Sequence, residues 1–391
     1  MTAIAFTGAH VVPVVGEPFD GDVVCEGGRI TAVGGAVPAG AEVVDCTGRW
    51  LLPGFLDAHT HLGVHEEGEG WAGDDTNEMT DPNTAHVRAL DAINPADRGF
   101  ADALSGGVLA VNVNPGSGNP IGGQTVAMKC WGRTVDEMVL RSPSGLKSAL
   151  GENPKRVYSD QKKLPSTRLG TAAVLREAFT AARAYAAKRD AGETQDPNLR
   201  LEALALVLER TIPWRQHSHR ADDIATAVRI AEEFGYELVI DHGTEAHLLA
   251  DLLAAKSIPV LIGPLLTSRA KVELRNRSIA NPGRLHDAGV EISIITDHPV
   301  VPIHFLVHQA TFAVKEGLDP VAALRSITIN PARVMGLENR LGSIEVGKDA
   351  DLVVWSGDPL DVMSRAEQAY IDGRLVYRWD ASVRDGIVTP V

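Results

Sequence analysis

The chain has 391 residues, enough for a large barrel with a small appended domain and a sizeable buried core. Its 37 lysines and arginines stand against 51 aspartates and glutamates, a formal charge of −14 that argues against a general nucleic-acid or anionic-membrane binder and leaves room only for a local basic pocket. Three scattered cysteines (Cys25, Cys46, Cys130) form no CxxC pair, and neither a basic, apolar leader nor an 18-residue apolar run occurs, so a soluble protein of the reducing cytoplasm is expected.

In chain order, residues 1–52 hold short β-rich runs such as DVVCEGGRITAVG, broken by Gly and Pro. FLDAHTHLG follows, a strand pattern in which His59 and His61 project to the same side because alternate residues of a strand share a face. GGVLAVNVNP, GGQTVAMKCWG, GLKSALGEN, IPWRQHSHR, ELVIDHG, IPVLIGPL and EISIITDHP complete a set of eight short apolar strands. Helical patterns separate the later ones: ADDIATAVRIAEEFG spaces Ile224, Val228 and Ala231 along one helix face before a Gly stop, and TEAHLLADLLAAK follows the next strand. Residues 170–209 read as a helical elaboration after the fourth strand. With no Gly-rich dinucleotide turn, the pattern predicts a closed parallel (β/α)8 TIM barrel over 53–345. The final run returns to the texture of the first, with DLVVWSGDP and a hairpin around Asp372-Gly373. Neither terminal piece can cover both sheet faces alone, so 1–52 and 346–391 are expected to build one small β-sandwich together.

In such barrels the C-terminal ends of the strands line the active site. Here those ends carry His59 and His61, Glu152, His217 and His219, His242, and Asp297. A lone histidine is more often a satisfied core residue, and an Asp before Pro or Gly more often a turn. Imidazoles and carboxylates at five strand ends instead form a ligand set suited to zinc or a similar divalent ion with a position open for water.

The HxH after PGFLDAH, the strand-end His217 and His242, Asp297 in ITDHP and the run TINPARVMGLENRLGSIEVGKDADLVVW resemble the amidohydrolase superfamily, in particular its imidazolonepropionase-like and prolidase-like members. The resemblance spans nearly the whole chain and implies water, activated by a divalent metal, attacking an amide, imide or related carbon. It also implies one or two ions per chain, most suitably Zn2+: His59 and His61 on one, His217 and His242 on a second, and Asp297 touching the first while shuttling the proton. Many members bridge two ions with a carbamylated lysine, for which Lys129, Lys147 and Lys155 are candidates. GLKSALGENPK resembles the version that uses a glutamate, as in N-acetylglucosamine-6-phosphate deacetylases, and this favours Glu152.

Around this core, His219 shares the face of His217 and is expected to meet substrate or support the ligands. Arg220 stands where resembling deaminases and imidazolonepropionases carry glutamate; it either places a cation near the site or pairs with Asp222 or Asp223. Arg269, Lys271, Arg275 and Arg277 in TSRAKVELRNRS form a basic cluster that either grips a substrate carboxylate, with Arg269 and Arg275 as first candidates, or is a solvated face. His247 and His298 lie near the site, the latter facing away from the interior. PGSGNPIGGQ could present backbone N–H groups to an anion or be a plain connection, and HEEGEGWAGDDTNEMTDP, with seven acids, is long enough for a lid. The expected function is hydrolysis of a C–N bond in a small carboxylate-bearing molecule such as an N-acyl amino acid or dipeptide. Heterocycle ring opening or deamination and a silent metal-binding scaffold are the alternatives. Self-association is a family habit that the residues do not specify.

Overall fold

The computed structural model describes residues 3–194 and 196–391. The N-terminal strands are β1 (Ile4–Val11), β2 (Phe19–Glu26), β3 (Arg29–Val33), β4 (Glu42–Asp45) and β5 (Trp50–Pro53). Eight further strands follow: β6 (Phe55–Thr60), β7 (Val108–Val113), β8 (Ile121–Lys129), β9 (Val139–Ala149), β10 (Trp214–Ser218), β11 (Leu238–His242), β12 (Val260–Ile262) and β13 (Ile292–Ile294). The chain ends with β14 (Leu352–Trp355), β15 (Ala366–Ile371), β16 (Arg374–Asp380) and β17 (Asp385–Val388).

The two ends of the chain meet where β5 pairs antiparallel with β14, Leu52 opposite Val353. They form one continuous nine-stranded sheet, β17-β16-β15-β14-β5-β1-β2-β3, in place of the two separate sheets that a sandwich implies. β1 carries the branch: residues 4–7 of one edge pair with β4 and residues 10–11 with β5. Phe6, Val11, Cys25, Leu51, Leu352 and Val354 are buried together on this sheet. The turn between β15 and β16 has φ of 50° at Asp372 and 70° at Gly373, the double left-handed geometry for which Asp-Gly is suited.

Strands β6 to β13 lie side by side in chain order as a nearly closed eight-strand barrel. β6 and β7 are parallel, as are β9 through β13, but β8 runs antiparallel to both neighbours. The reason is connection length. Residues 114–120 alone join β7 to β8, and a parallel return needs a crossover of a dozen or more residues. The expectation of an all-parallel barrel is therefore corrected at this strand. The reversal carries Lys129 to the far end of the barrel, where it bonds Asp349, Asp351 and Asp372 at 2.7–3.0 Å, and removes it from the candidate bridging lysines.

No ladder joins β13 to β6; backbone and side-chain bonds close that seam. His61 N donates to His298 O (2.9 Å), Asp297 N to His59 O (3.2 Å), and the buried carboxylate of Asp57 accepts from both the amide and hydroxyl of Thr296. Burial pushes the Asp57 carboxyl up to about 7 against the pull of those hydrogen bonds. Helix Ala221–Phe234 buries Ile224, Val228 and Ala231 against the barrel and stops at Gly235, whose φ of 79° is a left-handed cap. Among the described residues no helix is long and apolar enough to cross a membrane.

Candidate metal centre

His59 lies in β6 and His61 one residue past its end. Their Nε2 atoms each lie 3.3 Å from Oδ1 of Asp297, which comes from just beyond β13. Candidate ligand atoms of these three residues fall within 4.8 Å of one another, and so do those of a second group, His217, His219 and His242, from the ends of β10 and β11. The groups adjoin: the rings of His59 and His242 are 4.8 Å apart.

What each imidazole does with its second nitrogen supports ligation. His61 and His242 donate Nδ1–H to the carbonyls of Asn114 and Gly263, both at 2.9 Å, while Nδ1 of His59 meets Asp241 Oδ2 (3.0 Å) and that of His219 meets Thr244 Oγ1 (2.8 Å). Such partners fix the ring and leave the other nitrogen for a cation. Nδ1 of His217 is buried with no hydrogen-bond partner among the described residues, a costly condition that a bound ion would relieve. These donors fit a divalent ion of the zinc type.

Electrostatics agree. Burial pushes His217 and His242 well below 6.5 and His219 down to about 3, so all three are neutral, as ligands must be. Burial alone would raise Asp297, but hydrogen bonds from His59 and His61 hold it well below the usual carboxylate range. His242 and Asp297 also sit at φ of 75° and 53°, left-handed geometry that costs a non-glycine residue of order 1–3 kcal/mol and clusters at functional sites.

Lys147, on β9 and fully buried, places Nζ 3.4 Å from His59 Nε2 and 3.8 Å from Asp241 Oδ2. Burial pulls its amine down to about 8, opposed by Asp241 and Asp297. Glu152 belongs to neither group of candidate ligands. Gly151, at φ 91°, turns the chain into helix Glu152–Asp160, where the Glu152 amide donates to Glu273 (2.7 Å) and Asn153 lines the cavity instead. Glu152, the expected bridge, thus lies outside both groups of candidate ligands in this structure.

A cavity of about 380 Å3 opens over the two groups, its wall including His61, His217, His219, Asp297, Asn153 and Lys271. A larger groove, about 880 Å3, lies at the opposite end of the strands around Pro213, Leu238 and Pro259 and holds none of these residues. Several expected neighbours are elsewhere. Arg220 forms a two-point pair with Asp222 (2.8 Å each). Arg269 donates to the carbonyls of Arg275 and Arg277, and Arg275 is 61% exposed, 3.8 Å from Glu245. His247, in the turn Ala246–Leu249, is not on the cavity wall. The glycine loop brings Gly116 and Ser117 to the cavity wall, with the amide of Gly116 bonded to Thr76 O and that of Gly118 to Asn77 Oδ1. The acidic loop contributes His65, Asp74 and Thr76 to the wall.

Asp241 and Arg215 were not anticipated. Both are fully buried; Arg215 bonds Asp241 Oδ1 (3.2 Å), whose other oxygen holds His59. An acid inside an apolar strand such as LVIDH was the available signal, since buried charges are almost always paired.

Residues 134–387 match the model of the amidohydrolase family. An amidohydrolase from Thermotoga maritima superposes with a TM-score of 0.94 at 49% identity, covering 96% of this chain and all of that one. Amidohydrolase tasK of Hapsidospora irregularis is 32% identical over 90% of this chain, which spans only 39% of that longer protein. An imidazolonepropionase of Sphingopyxis alaskensis is 25% identical over 92% of this chain and 93% of its own length. With the geometry above, these likenesses establish that the chain belongs to the amidohydrolase family and is a hydrolase of carbon–nitrogen bonds.

Proposed function

We propose that the chain hydrolyses the amide or cyclic amide bond of a small carboxylate-bearing molecule, such as an N-acyl amino acid or dipeptide. The observation that carries this reading is Asp297 Oδ1, 3.3 Å from both His59 and His61 and on the wall of the cavity. His59, His61 and Asp297 would hold one divalent ion, most suitably zinc, and two or more of His217, His219 and His242 a second. An ion so held supplies Lewis acidity, making water acidic near neutral pH and drawing electron density from a carbonyl. Asp297, anionic at neutral pH, takes the proton of the attacking water and returns it to the leaving nitrogen, which departs as a neutral amine.

Lys147, whose Nζ lies 3.4 Å from His59 Nε2, would join the two groups. Its neutral amine would bond to the carbon of CO2 and lose a proton to solvent, giving an anionic carbamate with two donor oxygens. Lys147→Met should lose metal and reduce activity by more than the roughly 10–100-fold that removal of an outer supporting group costs. Glu152→Gln should keep both within a few-fold, as read by elemental analysis and turnover. The reverse ranking would restore the glutamate bridge.

Metal analysis joined to a screen of N-acyl amino acids, dipeptides and cyclic amides tests the reaction itself. Zinc-loaded protein should release free amino acid, and chelation should abolish that release. A metal-loaded protein inert towards the whole panel would support a silent scaffold. Similarity to an imidazolonepropionase over nearly both full lengths keeps ring opening as the second reading, and the cyclic amides in the panel distinguish it.

A further inference from the structure

We propose that Lys271, with Asn153 and Ser117, is the subsite that binds the substrate's carboxylate. The inference rests on the hydrolase reading above and names the group that would select its substrate. Of the lysines and arginines among the described residues, Lys271 is the one on the wall of the 380 Å3 cavity. Its Nζ donates to Asn153 Oδ1 (3.0 Å), leaving two of the three ammonium hydrogens for a ligand. That bond also sets the Asn153 amide, whose Nδ2 donates to Ser117 Oγ (2.7 Å) and lies 3.5 Å from His217 Nε2. The three residues arrive from the β7–β8 loop, the helix after β9 and the loop after β12, and they converge beside one of the metal-ligand groups.

Arg269 and Arg277 build the loop, while Arg275 is largely exposed. Arg269 is committed to two carbonyls within it and Arg277 donates to Leu265 O, holding the segment from which Lys271 enters the cavity. The two acids on the wall are engaged: Asp74 by Thr76 and His65, Asp297 by His59 and His61. One cation flanked by neutral amide and hydroxyl groups suits a singly charged carboxylate. A phosphate dianion would call for the multiple cations that normally clamp it.

The test uses N-acetyl-L-alanine and N-acetyl-L-alaninamide as paired probes on zinc-loaded protein. Steady-state kinetics give turnover, and calorimetry in an Asp297→Asn background, where turnover is slowed, gives affinity. Lys271→Met should weaken binding and raise KM for the free acid by roughly tenfold to a hundredfold, the loss of a charged hydrogen bond, with little change for the amide. Lys271→Arg should keep the preference for the acid. Equal effects on both probes, or a wild-type protein indifferent to the carboxylate, would overturn the subsite. Lys271-dependent binding of the acid without hydrolysis would support the subsite while overturning the reaction proposed above.

Discussion

Asp297→Asn should lower kcat by roughly 10²–10⁴, the usual contribution of a positioned proton-transfer group, while the protein stays folded. Asparagine is the informative replacement because Asp297 sits at φ 53°, a conformation that Asn tolerates and Ala does not, so backbone strain is not added to the chemical loss. The carboxyl is held well below its usual range, so it stays ionised throughout pH 5–8 and no inflection of the wild-type rate in that window should belong to it. Single-turnover rates on a substrate found by the screen would decide the matter. A variant within a few-fold of wild type would remove Asp297 from proton transfer and leave it a ligand only.

Asp241→Ala should be the most damaging change to stability. It strips the counter-charge from fully buried Arg215, and breaking a buried pair by deleting one partner costs about 3–5 kcal/mol. It also frees His59 Nδ1 and should weaken metal binding by roughly 10–100-fold. Adding Arg215→Met should recover part of the stability, since an uncharged interior replaces an orphaned guanidinium; no recovery would mean that the pair is not the source of the loss. The pH dependence has a definite sign. Burial would raise the Asp241 carboxyl, but Arg215, His59 and Lys147 hold it below the usual value near 3.8, so the folded state binds fewer protons than the unfolded. Its stabilisation is complete above about pH 5 and is lost progressively as pH falls further. The stability difference between wild type and Asp241→Ala, measured by chemical denaturation, should be flat from pH 8 to 5 and shrink only below that. A difference that already faded near pH 6 would point to a histidine instead.

Much of the architecture was legible in the chain. Strand lengths, the helical spacing of Ile224, Val228 and Ala231, and the Asp372-Gly373 turn are local patterns, and local patterns survive folding when one face must be buried. The reversed direction of β8 was legible too, in the seven residues that precede it, once connection length is weighed against the crossover that a parallel strand needs. The strand-end histidines and Asp297 stood out because their spacing along each strand fixes which face they share.

What the chain alone could not decide is which side chains meet across the barrel. Period two places Lys147 inward on β9, but its approach to His59 depends on the tilt and register of strands 88 positions apart in sequence. The turn at left-handed Gly151 leaves Glu152 outside both groups of candidate ligands, and Arg269 meets backbone carbonyls and Arg275 solvent while Lys271 reaches the cavity wall. Sequence periodicity sets the direction of a side chain from its own strand or helix; the distance to a partner on another element is set by how the elements pack, and a metal centre is a matter of such distances.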